Sequence, residues 1–501
     1  MKFTDKLKKL IRGEEPSLAD SPANSVRIEK IFSDCADFTM REIDIGLAGK
    51  VCARLCFIDG LVSGRSVGEQ VVKPLTDPVR FAYVKTEREA ISAVMSGAAY
   101  GYAAKLRKTN GEVASDMLCG WCAVVFDGAG EAVCFELKSE EKRAVDQPKE
   151  EKVVKGSKDA FVETLRSNTA LVRKKLRDPR LKVFETKIGR KSDTTVAVLY
   201  IEGFTNGELV RAAKERIESI DVDGVFSSAV LDEALSDRPR SAFPQIISTE
   251  RPDKFCINLL EGRVGIIADG LPLGYLAPGT FAQFFKVPED NSHHFAVASL
   301  LTVLRYVALA VTMLLPAFYV AIVLFHNEML PTKLMQSIID AKQRVPFPTA
   351  VEVLGMLVAF ELLQEAGLRL PNPIGETISI IGALIVGQSA VEARVVSPVV
   401  VIVVAFAGIC GYTIPNQDMS GAVRIWRFVF VILSVAAGMF GLAIGSALLI
   451  YTLCSMESFG VAYMTPFAAT DGRLLLRAIT RAPLYKGDSA ESALKPGSRW
   501  L

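Results

Sequence analysis

The sequence predicts an α/β soluble region of two similar subdomains, followed by an α-helical multi-pass membrane domain. Charge is the first observation: 88 charged side chains fall in residues 1–294, about 30% of that part, and 17 fall in residues 295–470, about 10%. The other two observations are a strand–turn pattern that occurs twice in the first part and five apolar stretches in the second. A chain of 501 residues has room for roughly three or four domains.

The changes in composition predict the domain bounds. We expect a basic, flexible N-terminal tail, two α/β subdomains, a helical transmembrane domain and a cytoplasmic tail, at 1–28, 29–145, 146–290, 291–470 and 471–501.

The two subdomains are predicted from acidic residues that directly precede a glycine. At Asp59 and Glu202 the acid ends an apolar run, which indicates a buried strand, a turn and then a helix. At Asp127 and Asp269 the acid–glycine pair separates two apolar runs, which is a strong hairpin signal. From Asp59 to Asp127 is 68 residues, and from Glu202 to Asp269 is 67. Such turns can recur by chance, but the matched spacing favours a repeat.

Composition and motifs argue against several classes of function. The formal net charge of +2 indicates no polyanionic partner, so we expect no nucleic acid. Cys119 and Cys122 have CxxC spacing, but there is no second CxxC, and the three histidines lie far away in sequence. A metal or redox role is therefore the less favoured alternative to two core cysteines, and we expect no cofactor and no metal. We find no nucleophile–base arrangement, and we expect no catalytic residues and no enzymatic activity.

Five apolar stretches follow the soluble region, at 295–325, 349–366, 374–391, 395–414 and 428–456. The first, fourth and fifth reach the length of about 20 apolar residues that crosses a bilayer. The second and third are shorter and more polar, so they could form a hairpin enclosed by protein. We expect four crossings plus one re-entrant or surface helix. The chain begins without an apolar leader and ends in a basic tail, which predicts both ends on the cytoplasmic side.

The second stretch carries three glutamates. On a helix, Glu361 and Glu365 share a face, whereas Glu352 lies about 180° from Glu361. Because an acidic residue at mid-bilayer costs roughly 2.5–3.5 kcal/mol, we expect protein or a water-filled path around this helix. We predict an ion pathway or gate that includes Glu352, Glu361, Glu365, Gln388 and Arg305, with Arg305 as the ion-pair partner of one glutamate. Structural hydrogen bonding is the alternative.

Small residues mark a packing surface in the last apolar stretch. Gly441 and Gly445 are four residues apart, and Gly438 lies nearby. This spacing predicts close helix–helix contact.

Long blocks of the chain resemble a known family. "EGRVGIIADGLPLGYLAP", "VPFPTAVEVLGMLVAFELLQEAGLRLPNPIG" and "IGALIVGQSAVEARVVSP" are similar to segments of the A subunit of GerA-type spore germinant receptors. The resemblance covers about 150–468. The family often has Arg-Glu-Ala-Gly where this chain has Gln364-Glu365-Ala366-Gly367, so a local basic partner for Glu361 or Glu365 is missing.

The resemblance implies a function and partners. An A subunit would lie in the spore inner membrane with a transporter-like B subunit and a lipoprotein C subunit. It would form a homo-oligomer among membrane lipids and a nutrient-gated conduit for monovalent cations. The chain is also similar to the SpoVA-operon F protein, which implies a related germination channel. A third possibility is a non-conducting scaffold that holds the B and C subunits.

Overall fold

The structure of the protein is a computed structural model. It describes residues 19–45, 51–99, 103–138, 156–369, 387–467 and 478–480, with single residues at 148, 151 and 153. The described chain divides into two compact units. The α/β unit contains the described residues up to Leu235 together with Ile246–Pro278. The helical unit contains Ser236–Gln245 and the described residues from Gly279 onward.

The α/β unit contains two five-stranded sheets of the same design. The first has the strand order β1-β2-β4-β5-β3, and the second has the order β6-β7-β9-β10-β8. All strand pairings in both sheets are antiparallel. The strands are β1 (Phe38–Ile45), β2 (Val51–Ile58), β3 (Ala104–Arg107), β4 (Trp121–Phe126), β5 (Glu131–Glu136), β6 (Leu181–Ile188), β7 (Thr194–Ile201), β8 (Ile247–Thr249), β9 (Val264–Ala268) and β10 (Gly274–Ala277).

The repeat predicted from the acid–glycine turns is confirmed by this shared topology. Asp59 directly follows β2, and Glu202 directly follows β7, the corresponding strand of the second sheet. Asp127 lies in the turn between β4 and β5, and Asp269 lies in the turn between β9 and β10. Gly60, Gly203 and Gly270 have positive φ angles, a conformation that glycine adopts without a steric penalty.

Short helices cover the sheets. They are α1 (Ser25–Ile31), α2 (Gly64–Val67), α3 (Lys73–Leu75), α4 (Glu87–Met95), α5 (Asn110–Leu118), α6 (Leu165–Lys175), α7 (Gly207–Glu218), α8 (Ser228–Leu235) and α9 (Pro252–Leu260), with a π-helical turn at Gly68–Val72 between α2 and α3. Each face of the first sheet packs into its own apolar cluster, and every residue of β4 is buried. The start of α1 falls inside the segment that we predicted as a tail, and residues 1–18 lie outside the described part.

The helical unit is built from long apolar helices with short connections. Among the described residues its helices are α10 (Phe295–Phe325), α11 (Thr332–Lys342), α12 (Thr349–Arg369), α13 (Pro398–Gly411) and α14 (Gln417–Cys454), with 3₁₀ turns at Phe281–Phe285, Pro288–Ser292 and Asn327–Met329, and residues 387–392 are also helical. A small hairpin of β11 (Glu457–Ser458) and β12 (Val461–Ala462) follows α14. Most of the third apolar stretch, 374–391, and most of the tail at 471–501 lie outside the described residues.

Helix α14 reverses direction at Gly438. This residue has φ 59° and ψ −135°, which no helix contains. A Cβ built on Gly441 would clash with the carbonyl oxygen of Leu433, and one on Gly445 would lie 2.9 Å from the ring of Phe430. In a continuous helix, residues eight positions apart would be separated by about 12 Å. Residues 417–437 and 439–454 therefore form two arms that fold back on each other, and the fifth apolar stretch is not one continuous helix.

By length and composition alone, α10 and the whole of α14 have what is needed to cross a membrane, although the reversal at Gly438 divides α14 into two shorter arms; the apolar helix α13 is shorter.

Candidate functional site

Helix α12 holds the glutamates that the sequence singled out. Glu352 lies in its first turn and is 3% exposed. Its Oε2 accepts a hydrogen bond of 2.8 Å from the backbone N–H of Ser397. Ser397 is the N-cap residue of α13, and Pro398 opens that helix, where proline is favoured because its missing N–H needs no partner. Glu352 thus fastens the start of α13 to α12.

Glu361 lies farther along α12 and contacts the first arm of α14. Its Oε1 accepts a short hydrogen bond from Nη2 of Arg427, and its Oε2 lies 3.4 Å from Nη1 of Arg424. The side chain of Arg427 is 2% exposed, whereas those of Glu361 and Arg424 are 22% and 29% exposed. We call these three residues the Glu361 cluster. They join two helices of an apolar bundle through charged groups.

The Glu361 cluster contains more positive than negative charge. Two guanidinium groups share one carboxylate, which leaves an excess of one positive charge among its members. The Nε atoms of Arg424 and Arg427 are buried and have no hydrogen-bond partner among the described residues. A buried donor without a partner costs about 1–3 kcal/mol. The excess charge and the two unpartnered donors of the cluster therefore lower the stability of the bundle.

The remaining predicted residues are not members of the Glu361 cluster, although Glu365 lies one turn farther along α12. Glu365 and Gln388 are exposed. Arg305 does not pair with a glutamate of α12, so that expectation is wrong. It forms a bidentate ion pair with Asp290, at 2.6 and 2.9 Å, and also donates to the carbonyl of Phe285 at 3.1 Å. The reason is that the 3₁₀ turn before α10 packs back along this helix and brings the carboxylate of Asp290 to Arg305, about three turns into the helix.

The three glycines lie at the reversal of α14. At Gly438 a Cβ would lie 3.0 Å from three side-chain atoms of Phe325, at the end of α10. Gly441 and Gly445 allow the second arm to approach the first, as described above. The close approach thus involves the two arms of one hairpin.

Sequence reasoning missed the two arginines of the cluster. The predicted fifth span began at Phe428, so Arg424 and Arg427 were left outside it, although both lie within α14. A signal was available. The two arginines are three residues apart, which places them on one helix face, and few other basic residues occur in this apolar region.

The Glu361 cluster joins one carboxylate to two guanidinium groups and lacks the set of ligands that a metal ion needs. Among the described residues, no group of three or more His, Cys, Asp or Glu side chains could hold a metal ion. In the α/β unit, burial raises the pKa of the Cys122 thiol well above its ordinary value, which keeps this CxxC cysteine protonated at neutral pH. The chemistry left for the site is electrostatic: a carboxylate, two guanidinium groups and the apolar helices around them.

Comparison with known proteins identifies the family. Residues 26–492 match the Bacillus/Clostridium GerA spore germination protein family. "Spore germination protein KA" of Bacillus subtilis is 35% identical over 94% of this chain and 85% of its own length. "Spore germination protein B1" of the same organism is 36% identical over 87% and 88%, and "Spore germination protein A1" is 37% identical over 70% and 73%.

A solved structure is also similar. It is the crystal structure of the N-terminal domain of the A subunit of the Bacillus megaterium spore germinant receptor GerK3, which is 26% identical, with a TM-score of 0.41, and covers 52% of this chain and 98% of that one. The family match extends over nearly the whole chain, including both units and the Glu361 cluster. The chain belongs to the GerA family of spore germination proteins.

Proposed function

We propose that the protein acts in spore germination as the A subunit of a nutrient germinant receptor. Its helical unit would cross the spore inner membrane several times, with the N-terminal region and the C-terminal tail on the cytoplasmic side. Family membership supports the germination role, since the similar proteins are named as spore germination proteins. The length and composition of α10 and α14 support membrane insertion.

The observation that carries a more specific proposal is the Glu361 cluster. Charged groups between helices are expensive to place in an apolar medium, and inside membrane bundles they commonly mark ion pathways. In the described arrangement the carboxylate is neutralised and one positive charge remains. Such a site repels monovalent cations. We assign this arrangement to the closed state of a ligand-gated cation conduit.

Opening would require the first arm of α14 to move relative to α12. Separation of Arg424 and Arg427 from Glu361 would then remove the positive barrier and expose a carboxylate to the path. The hairpin at Gly438 supplies an element that could move as a unit, because its two arms pack on each other. Several copies of the chain, together with a transporter-like B subunit and a lipoprotein C subunit, would complete the receptor.

The test is cation release from spores that carry Glu361→Gln in place of the wild-type chain. Loss of the negative charge releases the arginines and leaves the barrier without its counter-ion. We expect nutrient-triggered release of monovalent cations to slow by at least tenfold at equal protein level. Glu328→Gln is the matched control, because Glu328 is exposed in the 3₁₀ turn after α10 and its substitution removes the same charge. Unchanged release from the Glu361→Gln spores would contradict the gate assignment.

A non-conducting scaffold is favoured by a different observation. Glu352 fastens α13, and Arg305 with Asp290 fastens the start of α10, so polar groups of the helical unit also serve to join its elements. Purified protein in liposomes separates the two functions. Cation flux that the Glu361→Gln substitution changes supports the conduit, whereas the absence of flux from every oligomeric form supports the scaffold.

A further inference from the structure

One pocket of the helical unit is lined by no member of the Glu361 cluster, although its Trp426 adjoins Arg427 in the sequence. It has a volume of about 550 Å³ and is open to the surface. One wall is the loop from Arg238 to Phe243, and the other wall is formed by both arms of α14, through Trp426 and Thr452, with Met456 just beyond the helix. Nothing in the proposed gate uses these residues.

The loop is held firmly, so the pocket is preformed. Gln245 is 1% exposed, and its side chain bonds both backbone groups of Arg238, accepting from N–H at 3.1 Å and donating to C=O at 2.9 Å. The carbonyl of Gln245 in turn accepts a 2.8 Å hydrogen bond from Ser458. The ring of Phe243 stacks on the indole of Trp426 with centroids 6.2 Å apart. These contacts fix the arginine-bearing wall against the helical wall.

The pocket carries positive charge without a carboxylate partner. Arg238 and Arg240 are exposed, and neither makes an ion pair with a described residue. Arg238 donates a hydrogen bond of 2.9 Å to the hydroxyl of Ser455. The neighbouring carboxylate of Asp237 is directed to the backbone N–H of Phe459, at 2.7 Å. Two guanidinium groups therefore remain available to an anion, and arginine is well suited to phosphate because its donors match the phosphate oxygens.

The surface next to the pocket is apolar. Ile425, adjacent to Trp426, is 56% exposed, and Tyr451, adjacent to Thr452, is 72% exposed. Farther along the arms, Ile432 and Phe440 are 57% and 71% exposed. Tryptophan and tyrosine are enriched where a membrane protein passes from the acyl chains to the headgroups. The arginine pocket thus lies where an apolar outer surface meets a polar end.

We infer that this pocket binds the phosphate headgroup of an anionic phospholipid, while the acyl chains lie along the exposed arms of α14. Basic pockets beside membrane helices bind anionic headgroups, and a lipid is the one phosphate ligand that also covers the adjacent apolar surface. The inference rests on the proposed membrane insertion of the helical unit. A bound lipid would hold the 238–243 loop against both arms of the hairpin that carries Arg424 and Arg427.

The test is native mass spectrometry of the full chain in detergent, titrated with phosphatidylglycerol or with phosphatidylcholine of the same acyl chains. We expect the wild-type chain to retain phosphatidylglycerol at least tenfold more strongly. The double substitution Arg238→Gln and Arg240→Gln should abolish that preference. Arg41→Gln with Arg88→Gln is the control, since both arginines are exposed in the α/β unit and the same charge is lost.

A second variant tests the pocket independently, in case the double substitution disrupts the fold. Thr452→Trp fills the pocket while both arginines remain, and it should weaken phosphatidylglycerol retention without changing the charge. Equal retention of the two lipids by the wild-type chain, or an undiminished preference in the double variant, would overturn the inference. The third measurement adds inorganic phosphate to the lipid-bound chain. If phosphate alone displaces the lipid, the site recognises free phosphate and the lipid assignment is wrong.

Failure of this inference can be told from failure of the proposed function. Resistance of the wild-type chain to alkaline extraction from membranes tests insertion by itself. Inserted protein that shows no lipid preference contradicts only the lipid site. Protein that is extracted by alkali contradicts the membrane function on which the inference depends.

Discussion

Two buried arginines, one in each unit, are held in opposite ways. In the α/β unit, the side chain of Arg173 is 0% exposed, and each of its three nitrogens has an acceptor: it bonds Asp37 at 2.6 and 2.8 Å and the carbonyl of Leu181 at 3.0 Å. In the helical unit, Arg427 is equally enclosed, yet it shares Glu361 with Arg424, and its Nε has no partner among the described residues. When every nitrogen of a guanidinium has an acceptor, as in a matched pair, one arrangement of the side chains is strongly favoured. When some nitrogens have none, as in an unmatched pair, a second arrangement of the side chains differs less in free energy from the first.

The matched pair joins the two sheets. Asp37 belongs to the first subdomain, just before β1, and Arg173 lies on α6 of the second. The backbone N–H of Ala36 also bonds the carbonyl of Val183 in β6, at 2.8 Å. An ion pair and a backbone hydrogen bond thus join the two subdomains at the centre of the repeat, which is typical of a structural junction.

Asp37→Ala should have the largest effect on stability. The substitution leaves a fully buried guanidinium without its counter-ion, and breaking such a pair costs about 3–5 kcal/mol. Hydrogen exchange of the full chain measures this, because it reports the opening of the α/β unit separately from the helical unit. Asp37→Leu combined with Arg173→Met should recover most of the loss. A loss below about 1 kcal/mol for Asp37→Ala would show that the junction does not depend on the pair.

Glu361→Ala tests the unmatched cluster, and we expect a smaller loss of about 2 kcal/mol, because Glu361 and Arg424 are partly exposed. Arg424→Met should be nearly neutral, since it removes the excess positive charge and leaves the Arg427 pair intact. Thermal unfolding in detergent is the measurement. If Arg424→Met destabilised the chain as much as Glu361→Ala, the cluster would be a matched three-residue network and the contrast with Arg173 would disappear.

The two units also differ in how much of them the sequence predicts. The repeat in the α/β unit follows from local signals, because acid–glycine turns and apolar runs specify strands and hairpins within a few residues of each other. The matched spacing from Asp59 to Asp127 and from Glu202 to Asp269 is confirmed in the two sheets. The pairing of Asp37 with Arg173 joins residues 136 positions apart, and no local signal specifies it.

The helical unit is less predictable for a physical reason. Most residues of its long helices are apolar, so periodicity says little about which helix faces which. The sequence predicted Glu352 and Glu361 on opposed faces of one helix, and in the structure they contact different helices. It did not supply the partners. Arg305 was assigned to a glutamate, but Asp290 is closer, and the reversal at Gly438 was hidden within a continuous apolar stretch.

Gly441→Ala tests the hairpin that carries the two arginines. Its Cβ would clash with the backbone carbonyl of Leu433, which cannot move as a side chain can, so we expect a loss of about 1–3 kcal/mol. Gly355→Ala on α12 is the matched control. A Cβ there meets nothing within 4 Å, and alanine favours a helix over glycine, so this variant should be stabilised by up to about 1 kcal/mol. Thermal unfolding of both variants in detergent gives the comparison, and a loss of the same size in the two would contradict a tight turn.

Arg166→Gln should have the smallest effect, because the ion pairs of Arg166 are partly exposed. Arg166 also joins the two subdomains, through Asp59 of the first at 3.1 Å, and it pairs with Glu185 of its own subdomain at 2.9 Å, but its side chain is 30% exposed. Partly exposed pairs contribute about 0.5–1 kcal/mol, and salt weakens them. Hydrogen exchange at low and high salt should therefore show the Arg166→Gln effect shrinking with added salt, while the Asp37→Ala effect persists. Salt screening of both to the same degree would mean that water reaches Arg173, and the junction would then owe its strength to the backbone contacts of Ala36 rather than to a buried charge.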